Sequence, residues 1–214
     1  MTKSQYCKLM LITNKKDTPL DEYLEFIRVC ADSGITALQL REKNASYNFL
    51  LEFGAKLKEI LIPYNIPLII NDNIELAIEL NAHGIHLGQT DGDPNKALAT
   101  GKHVGISIDS YEDLMNANNL TIDYVGGGAL FETPSKIDVS TIWGVEGLRR
   151  LAPLSKHPII AIGGINESNI LEVMSAGADG VAVISAIHEA DNPGVMVRKL
   201  LHLTEIGGNK CLNK

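Results

Sequence analysis

Eight short aliphatic runs recur along the chain, and a stretch with the 3.6-residue period of a helix separates each from the next. The runs cover residues 8–12, 37–40, 67–70, 84–87, 104–107, 124–127, 158–162 and 180–184. They carry apolar residues at successive positions rather than alternate ones, so both faces of each strand are expected to be covered, as in a parallel sheet. Leu24, Ile27, Val29 and Cys30 mark a first helix that ends at Gly34. Leu50, Phe53, Leu57, Ile60 and Leu61 mark a second, and Ile74, Ala77, Ile78 and Leu80 a third. The fourth pattern, between Pro94 and Gly101, is the weakest. Leu171, Val173 and Met174 define the seventh, with Gly177 as its C-cap. Ser110-Tyr111-Glu112-Asp113 and Asn166-Glu167-Ser168-Asn169 read as helix starts with side-chain caps.

Eight strand–helix units in so short a chain predict a closed α/β barrel, the (β/α)8 TIM barrel, rather than an open doubly wound sheet. A single domain is expected over residues 1–214, with the barrel at about 6–203 and a polar, Gly-rich tail from 207 to 214 expected to fray. At 214 residues the chain buries roughly 70% of its unfolded surface, so it needs no disulfide or structural metal to hold its core. Cys7, Cys30 and Cys211 show no pairing pattern and point to free thiols in the cytoplasm. A net charge of -7 argues against nucleic acid or an anionic membrane as partner. No stretch approaches the ~20 apolar residues of a membrane span. An anionic small molecule fits if the few cations are gathered in one place. Homo-oligomer formation stays open.

In such a barrel the reactive groups stand where the strands end and in the loops that follow. Gln39-Leu40-Arg41-Glu42-Lys43 ends strand 2, Asn71-Asp72 strand 3, and Gly88-Gln89-Thr90-Asp91 follows strand 4. Ser107 lies on strand 5, Thr133-Pro134-Ser135-Lys136 follow strand 6, and Gly163-Gly164 and Ile184-Ser185 end strands 7 and 8. Singly, Asp72 reads equally well as a cap for helix 3, Asp91 as a turn residue, and Arg41 and Lys43 as solvated charges beside Glu42. Seven strand ends with ligand-type residues on one rim are harder to explain that way. Asp72 and Asp91 end adjacent strands, so their carboxylates can meet around one Mg²⁺, completed by water and phosphate oxygens. Arg41 and Lys43 supply charge for a diphosphate beside it. Gly163-Gly164 lets backbone approach a second phosphate, to which Ser185 adds a hydroxyl and an N–H. His86, mid-strand, points into the barrel and reads as a hydrogen-bonded buried histidine.

With these residues in this order the chain resembles the thiamine-phosphate synthase family. The resemblance runs from about Tyr6 to Leu203 and rests on the rim segments above, together with His86-Leu87-Gly88-Gln89-Thr90-Asp91, Gly105-Ile106-Ser107 and Ala161-Ile162-Gly163-Gly164-Ile165. It implies that Gln39, Arg41, Lys43, Asn71 and Ser107 contact a hydroxymethylpyrimidine diphosphate, with Leu40 and Glu42 in the same segment. It implies that Asp72 and Asp91 hold Mg²⁺, and that Thr133, Pro134, Ser135 and Lys136 meet pyrophosphate or the thiazole side chain. Gly164, Ile184 and Ser185 would take the thiazole phosphate. The implied catalytic residues are Arg41, Lys43, Ser107 and Lys136, and the implied reaction is dissociative loss of pyrophosphate followed by capture of the pyrimidinylmethyl cation.

The chain departs from the family pattern at three places. Gly128-Ala129 replaces a Gly-Pro pair, Glu132 a proline, and Asp109 a frequent histidine. Three alternatives stay open. The first is a thiazole tautomerase-type paralogue, against which stand Asp91 and the lack of a histidine between Thr121 and Lys136. The others are a phosphate-binding barrel such as a Schiff-base aldolase, and a binder of thiamine or its phosphates without coupling activity.

Overall fold

The computed structural model describes residues 8–132 and 142–209. Its eight strands are β1 (Leu9–Ile12), β2 (Ala37–Leu40), β3 (Leu68–Asn71), β4 (Gly84–Leu87), β5 (His103–Ile108), β6 (Tyr124–Ala129), β7 (Ile159–Ile162) and β8 (Gly180–Val183). They pair in chain order, all parallel, and β8 closes on β1 through Leu9↔Val181, Met10↔Ala182 and Leu11↔Val183. The helices between them are α1 (Leu20–Asp32), α2 (Tyr47–Leu61), α3 (Ile74–Glu79), α4 (Pro94–Leu98), α5 (Tyr111–Ala117), α6 (Gly144–Leu151) and α7 (Ile170–Ser175). A one-turn helix α8 (Ser185–His188) precedes the long α9 (Pro193–Asn209). Among the described residues no helix is long and apolar enough to cross a membrane.

Strand residues of alternate parity serve two different cores, which is why the runs carry no polar alternation. Leu9, Leu11, Leu38, Leu40, Leu68 and Ile70 face outward and pack against helix residues such as Ile27, Phe53 and Leu57. Met10, Ile12, Ala37, Ile69, Tyr124, Ile160 and Ala182 fill the barrel interior. Burying each such side chain is worth roughly 1.5–3 kcal/mol, so both layers are needed to hold a sheet of four- to six-residue strands. A Cβ at Gly105 would collide with the ring of Tyr124, so the missing side chain on β5 makes room for an aromatic from β6.

The helices differ from the expected pattern in a few places. Val29, Ile78 and Leu171 are exposed, at 39%, 54% and 37%, because they lie on the flanks of their helices rather than on the stripe facing the strands. The Ser110 side chain caps α5 by accepting from the Asp113 N–H. The start of α7 is different: Asn169 makes no cap bond, and its Oδ1 accepts from the Asn166 N–H in the loop before it. Gly177 lies one residue beyond the C-cap of α7, at φ +111°. Residues 207–209, expected to fray, belong to α9, which continues to Asn209, and the rest of the expected tail, 210–214, lies outside the described residues. A Cβ at Gly207 would meet Met174, so tertiary packing against α7 holds a Gly-Gly pair in helical form.

Candidate active site

At the C-terminal ends of the strands a cavity of about 310 Å³ opens into the barrel mouth. Its floor is Met10, Ile160 and Tyr124, and its walls are the polar residues of successive strand ends. Gln39, Arg41, Lys43, Asn71, Asp72, Asp91, Ser107, Gly164, Ile184 and Ser185 all line it. Leu40 does not; it packs into the outer layer. Glu42 turns back to accept the Lys15 N–H at 2.9 Å, tying the loop after β2 to the loop after β1. Thr133, Pro134, Ser135 and Lys136 lie outside the described residues.

Asp72 sits in the left-handed region at φ +65°, a strained position for a residue other than glycine. Its backbone N–H is fixed by the His86 carbonyl at 2.8 Å. The capping task falls to its neighbour: Asn73 Oδ1 accepts the Leu76 N–H at the start of α3, at 2.8 Å. The Asp72 carboxyl is therefore not consumed by the helix, and it meets Asp91. Asp91 has a local task as well, accepting the Gly88 N–H at 2.9 Å. Glycine at position 88 leaves room for this contact, since a Cβ there would push the Asp91 carboxylate aside. Burial, then the hydrogen bond and negative charge of Asp91, push the Asp72 carboxyl up to about 7, while Arg41 and Lys43 pull it down. Two acids and two bases thus share one electrostatic neighbourhood.

Deeper in the mouth, His86 is a satisfied interior histidine that also faces the cavity. Its Nδ1 lies 3.0 Å from Tyr124 Oη and its Nε2 3.0 Å from Ser107 Oγ. Ser107 is thereby oriented from within the barrel, while its carbonyl accepts from the Gln89 amide. Sequence reasoning missed two contributors. Thr13, fully buried, accepts the Arg41 N–H at 2.9 Å and sets where the Arg41 side chain leaves β2. Tyr124 forms part of the cavity floor, and the signal for it was Gly105, its pairing partner across β5 and β6.

On the opposite wall, Gly163 and Gly164 both have positive φ, +98° and +66°. A Cβ on either would strike the chain at Ala129 or Phe131, so this turn requires glycine for space as well as for conformation. Strand β6 ends in a bulge. The β6–β7 register shifts between Gly127 and Ala129, with Gly128 at φ +32°. Trp143 lies against Gly128, its backbone N–H donating to Ala129 O at 3.0 Å and its indole N–H to Asp109 O at 3.0 Å. The chain therefore leaves β6 and returns at Trp143 with both ends pinned.

A parallel closed barrel whose strand ends gather paired carboxyls, two cations and a glycine turn defines a class of enzymes that handle phosphorylated small molecules. The comparisons narrow it: the chain belongs to the thiamine monophosphate synthase family, whose model matches residues 9–187. It is thus an enzyme of the transferase class. It is 45% identical over 208 residues to the thiamine-phosphate synthase of Chlamydia caviae, covering 96% of this chain and 98% of that one. It is 37% identical over 199 residues to that of Vibrio campbellii, covering 92% and 97%. The solved structure of the thiamine phosphate pyrophosphorylase from Pyrococcus furiosus superposes with a TM-score of 0.87 at 32% identity, covering 96% of this chain and 98% of that one.

Proposed function

We propose that the protein couples a hydroxymethylpyrimidine diphosphate to a thiazole phosphate, giving thiamine phosphate and pyrophosphate. The observation that carries this reading is the placement of Asp72, Asp91, Arg41 and Lys43 in the same cavity as Gly164 and Ser185, because it offers separate places for a diphosphate and a monophosphate. In this reading the diphosphate lies against Arg41 and Lys43, and the thiazole phosphate against the Gly163-Gly164 turn and the Ile184–Ser185 lip. Lys136 enters on the sequence alone.

A divalent cation suits the donor set. Asp91 lies close enough to raise the proton affinity of Asp72, an arrangement that a cation relieves. Among the described residues no cluster of three or more His, Cys, Asp or Glu side chains is arranged to hold a metal. Mg²⁺ is ordinarily held by one or two carboxylates with waters and phosphate oxygens, so Asp72 and Asp91 would suffice. Bound there, Mg²⁺ would neutralise charge on the departing diphosphate.

The residues then act by position and charge. As the C–O bond to pyrophosphate breaks, negative charge grows on the leaving oxygens, and Arg41 and Lys43 stabilise that state more than the ground state. The positive pyrimidinylmethyl fragment is left beside Ser107, Tyr124 and His86, which line the cavity. The thiazole nitrogen captures it, and no general base is required for that bond to form.

Pyrophosphate release by the purified protein, measured with each substrate alone and with both, in Mg²⁺ and then in EDTA, tests the reading. Release that needs both substrates and the metal, with thiamine phosphate appearing in step, is expected. No release from folded protein with both substrates and Mg²⁺ would overturn it.

A further inference from the structure

Behind the Ile184–Ser185 lip, one chain of hydrogen bonds joins the loop after β1 to the loop after β8. The Asn14 N–H donates to Tyr23 Oη at 2.9 Å. Tyr23 Oη lies 2.7 Å from His188 Nε2, and His188 Nδ1 lies 2.8 Å from the Ile184 carbonyl oxygen. A carbonyl can only accept, so Nδ1 carries the imidazole proton and Nε2 accepts the tyrosine O–H. The chain therefore has one direction, from the Asn14 amide through Tyr23 and His188 to Ile184. The rings support it: the His188 and Tyr23 centroids are 5.8 Å apart with their planes at 21°, and Phe26 packs against both, 4.8 Å from His188 and 5.4 Å from Tyr23. Burial pushes the imidazole pKa down and the phenol pKa up, which keeps both groups neutral.

The group at the end of this chain is unusual. Ile184 has φ -120° and ψ -83°, neither strand nor helix, at the junction of β8 and α8. Its carbonyl also receives the N–H groups of Ile187 and His188. Ile184 and Ser185 line the cavity, whereas Tyr23 and His188 do not. A carbonyl oxygen turned toward an anion would repel it, so a bond that draws the Ile184 oxygen away favours a phosphate at this lip.

We propose that Tyr23 and His188 are positioning residues for the phosphate-bearing substrate, holding the Ile184 carbonyl away from the cavity so that Ser185 faces the anion. This rests on the assignment of the thiazole phosphate to the Ile184–Ser185 lip. Tyr23→Phe and His188→Phe break the chain while keeping the aromatic packing. His188→Gln offers an amide that can donate to Ile184 and accept from Tyr23. Steady-state kinetics should show KM for thiazole phosphate about tenfold higher in the two Phe variants, the usual scale for a lost buried hydrogen bond. KM for the pyrimidine diphosphate and kcat should stay within about twofold, with His188→Gln recovering most of the loss. Inorganic phosphate binding, titrated by ³¹P NMR on the same proteins after thermal melts confirm folding, should follow the same order. That arm reads the couple even if the wild-type protein makes no thiamine phosphate, in which case the coupling activity fails separately. Unchanged phosphate affinity in folded Tyr23→Phe, or an equal rise in both KM values, would overturn the proposal. If His188→Phe does not fold, Tyr23→Phe, which loses one oxygen only, decides.

Discussion

The two ends of the barrel use aspartate in opposite ways. At the N-terminal end, the residue just before β2, β6 or β8 reaches back to the start of the preceding odd strand. Asp123 donates its N–H to Val104 O at 2.8 Å and accepts the Val104 N–H on Oδ2 at 2.9 Å. Asp179 does the same with Ile159, at 2.8 Å both ways. Thr36 makes the equivalent clasp on Leu9 with its hydroxyl. Each of these side chains satisfies a backbone N–H at a strand start, and Asp123 also holds His103 Nδ1 at 2.9 Å. At the other end, Asp72 gives its helix cap away to Asn73, takes a left-handed backbone, and meets a second carboxyl instead of a donor. A carboxylate that closes a backbone clasp serves the fold, whereas one held against another carboxylate costs the protein stability, and the proposed function gives that pair a cation to hold.

The largest expected effects lie at the C-terminal ends of the strands. Asp72→Ala or Asp91→Ala should lower the rate of pyrophosphate formation by about 10²–10³, by analogy with deletion of one preorganised charge partner. Both variants should stay folded in thermal melts, because removal of a like-charge contact offsets the loss of the Asp91 bond to the Gly88 N–H and of aspartate at the positive φ of residue 72. A normal rate in either variant would break the assignment of the pair to the reaction. Next, Asp123→Ala and Asp179→Ala should leave KM and kcat near wild type while lowering unfolding free energy by about 1–2 kcal/mol each in urea titrations. If either variant lost activity at full stability, the division between the two ends would not hold.

A smaller effect is expected from pH. Burial lowers the His188 pKa, with Lys16 adding to the shift and the Ile184 carbonyl and Glu189 opposing it. The native imidazole thus resists a proton that the unfolded chain accepts near 6.5. Stability from this group is complete above that value and is lost as pH falls below it. Asp72, with its raised pKa, adds a slope of the opposite sign that both proteins share. Thermal melts from pH 7.5 to 5 should therefore differ between the two, with the melting temperature of the wild type falling relative to that of His188→Phe toward pH 5. Parallel slopes would remove His188 from the balance.

Much of the fold could be read in the sequence because both faces of every strand are buried, which leaves runs such as Ile159–Ile162 without ambiguity. Strand 6 was legible only in part, since Gly126, Gly127 and Gly128 carry no strand preference and the bulge there is fixed by Trp143 from beyond the loop. The one-turn helix α8 is too short to show a period, and the exposure of Ile78 depends on how α3 rolls against its neighbours. In the site, Asp72 and Asp91 were visible as a pair because adjacent strand ends must be neighbours. Thr13 and Tyr124 were not, because whether a strand residue points inward is set by register across the sheet, not by its own segment.

The fit of Tyr124 into the space left by Gly105 has a consequence for how such a protein can change over generations. A side chain gained at position 105 while the tyrosine is present meets a filled interior, at a cost of about 1–3 kcal/mol or more. A smaller residue at 124 first leaves a cavity, at a cost of about 3–5 kcal/mol, and takes away the hydroxyl bonded to His86. Neither step is free by itself, so the two positions are tied to one another across the sheet. Lineages in which the floor of this cavity has been rebuilt should differ at both positions together.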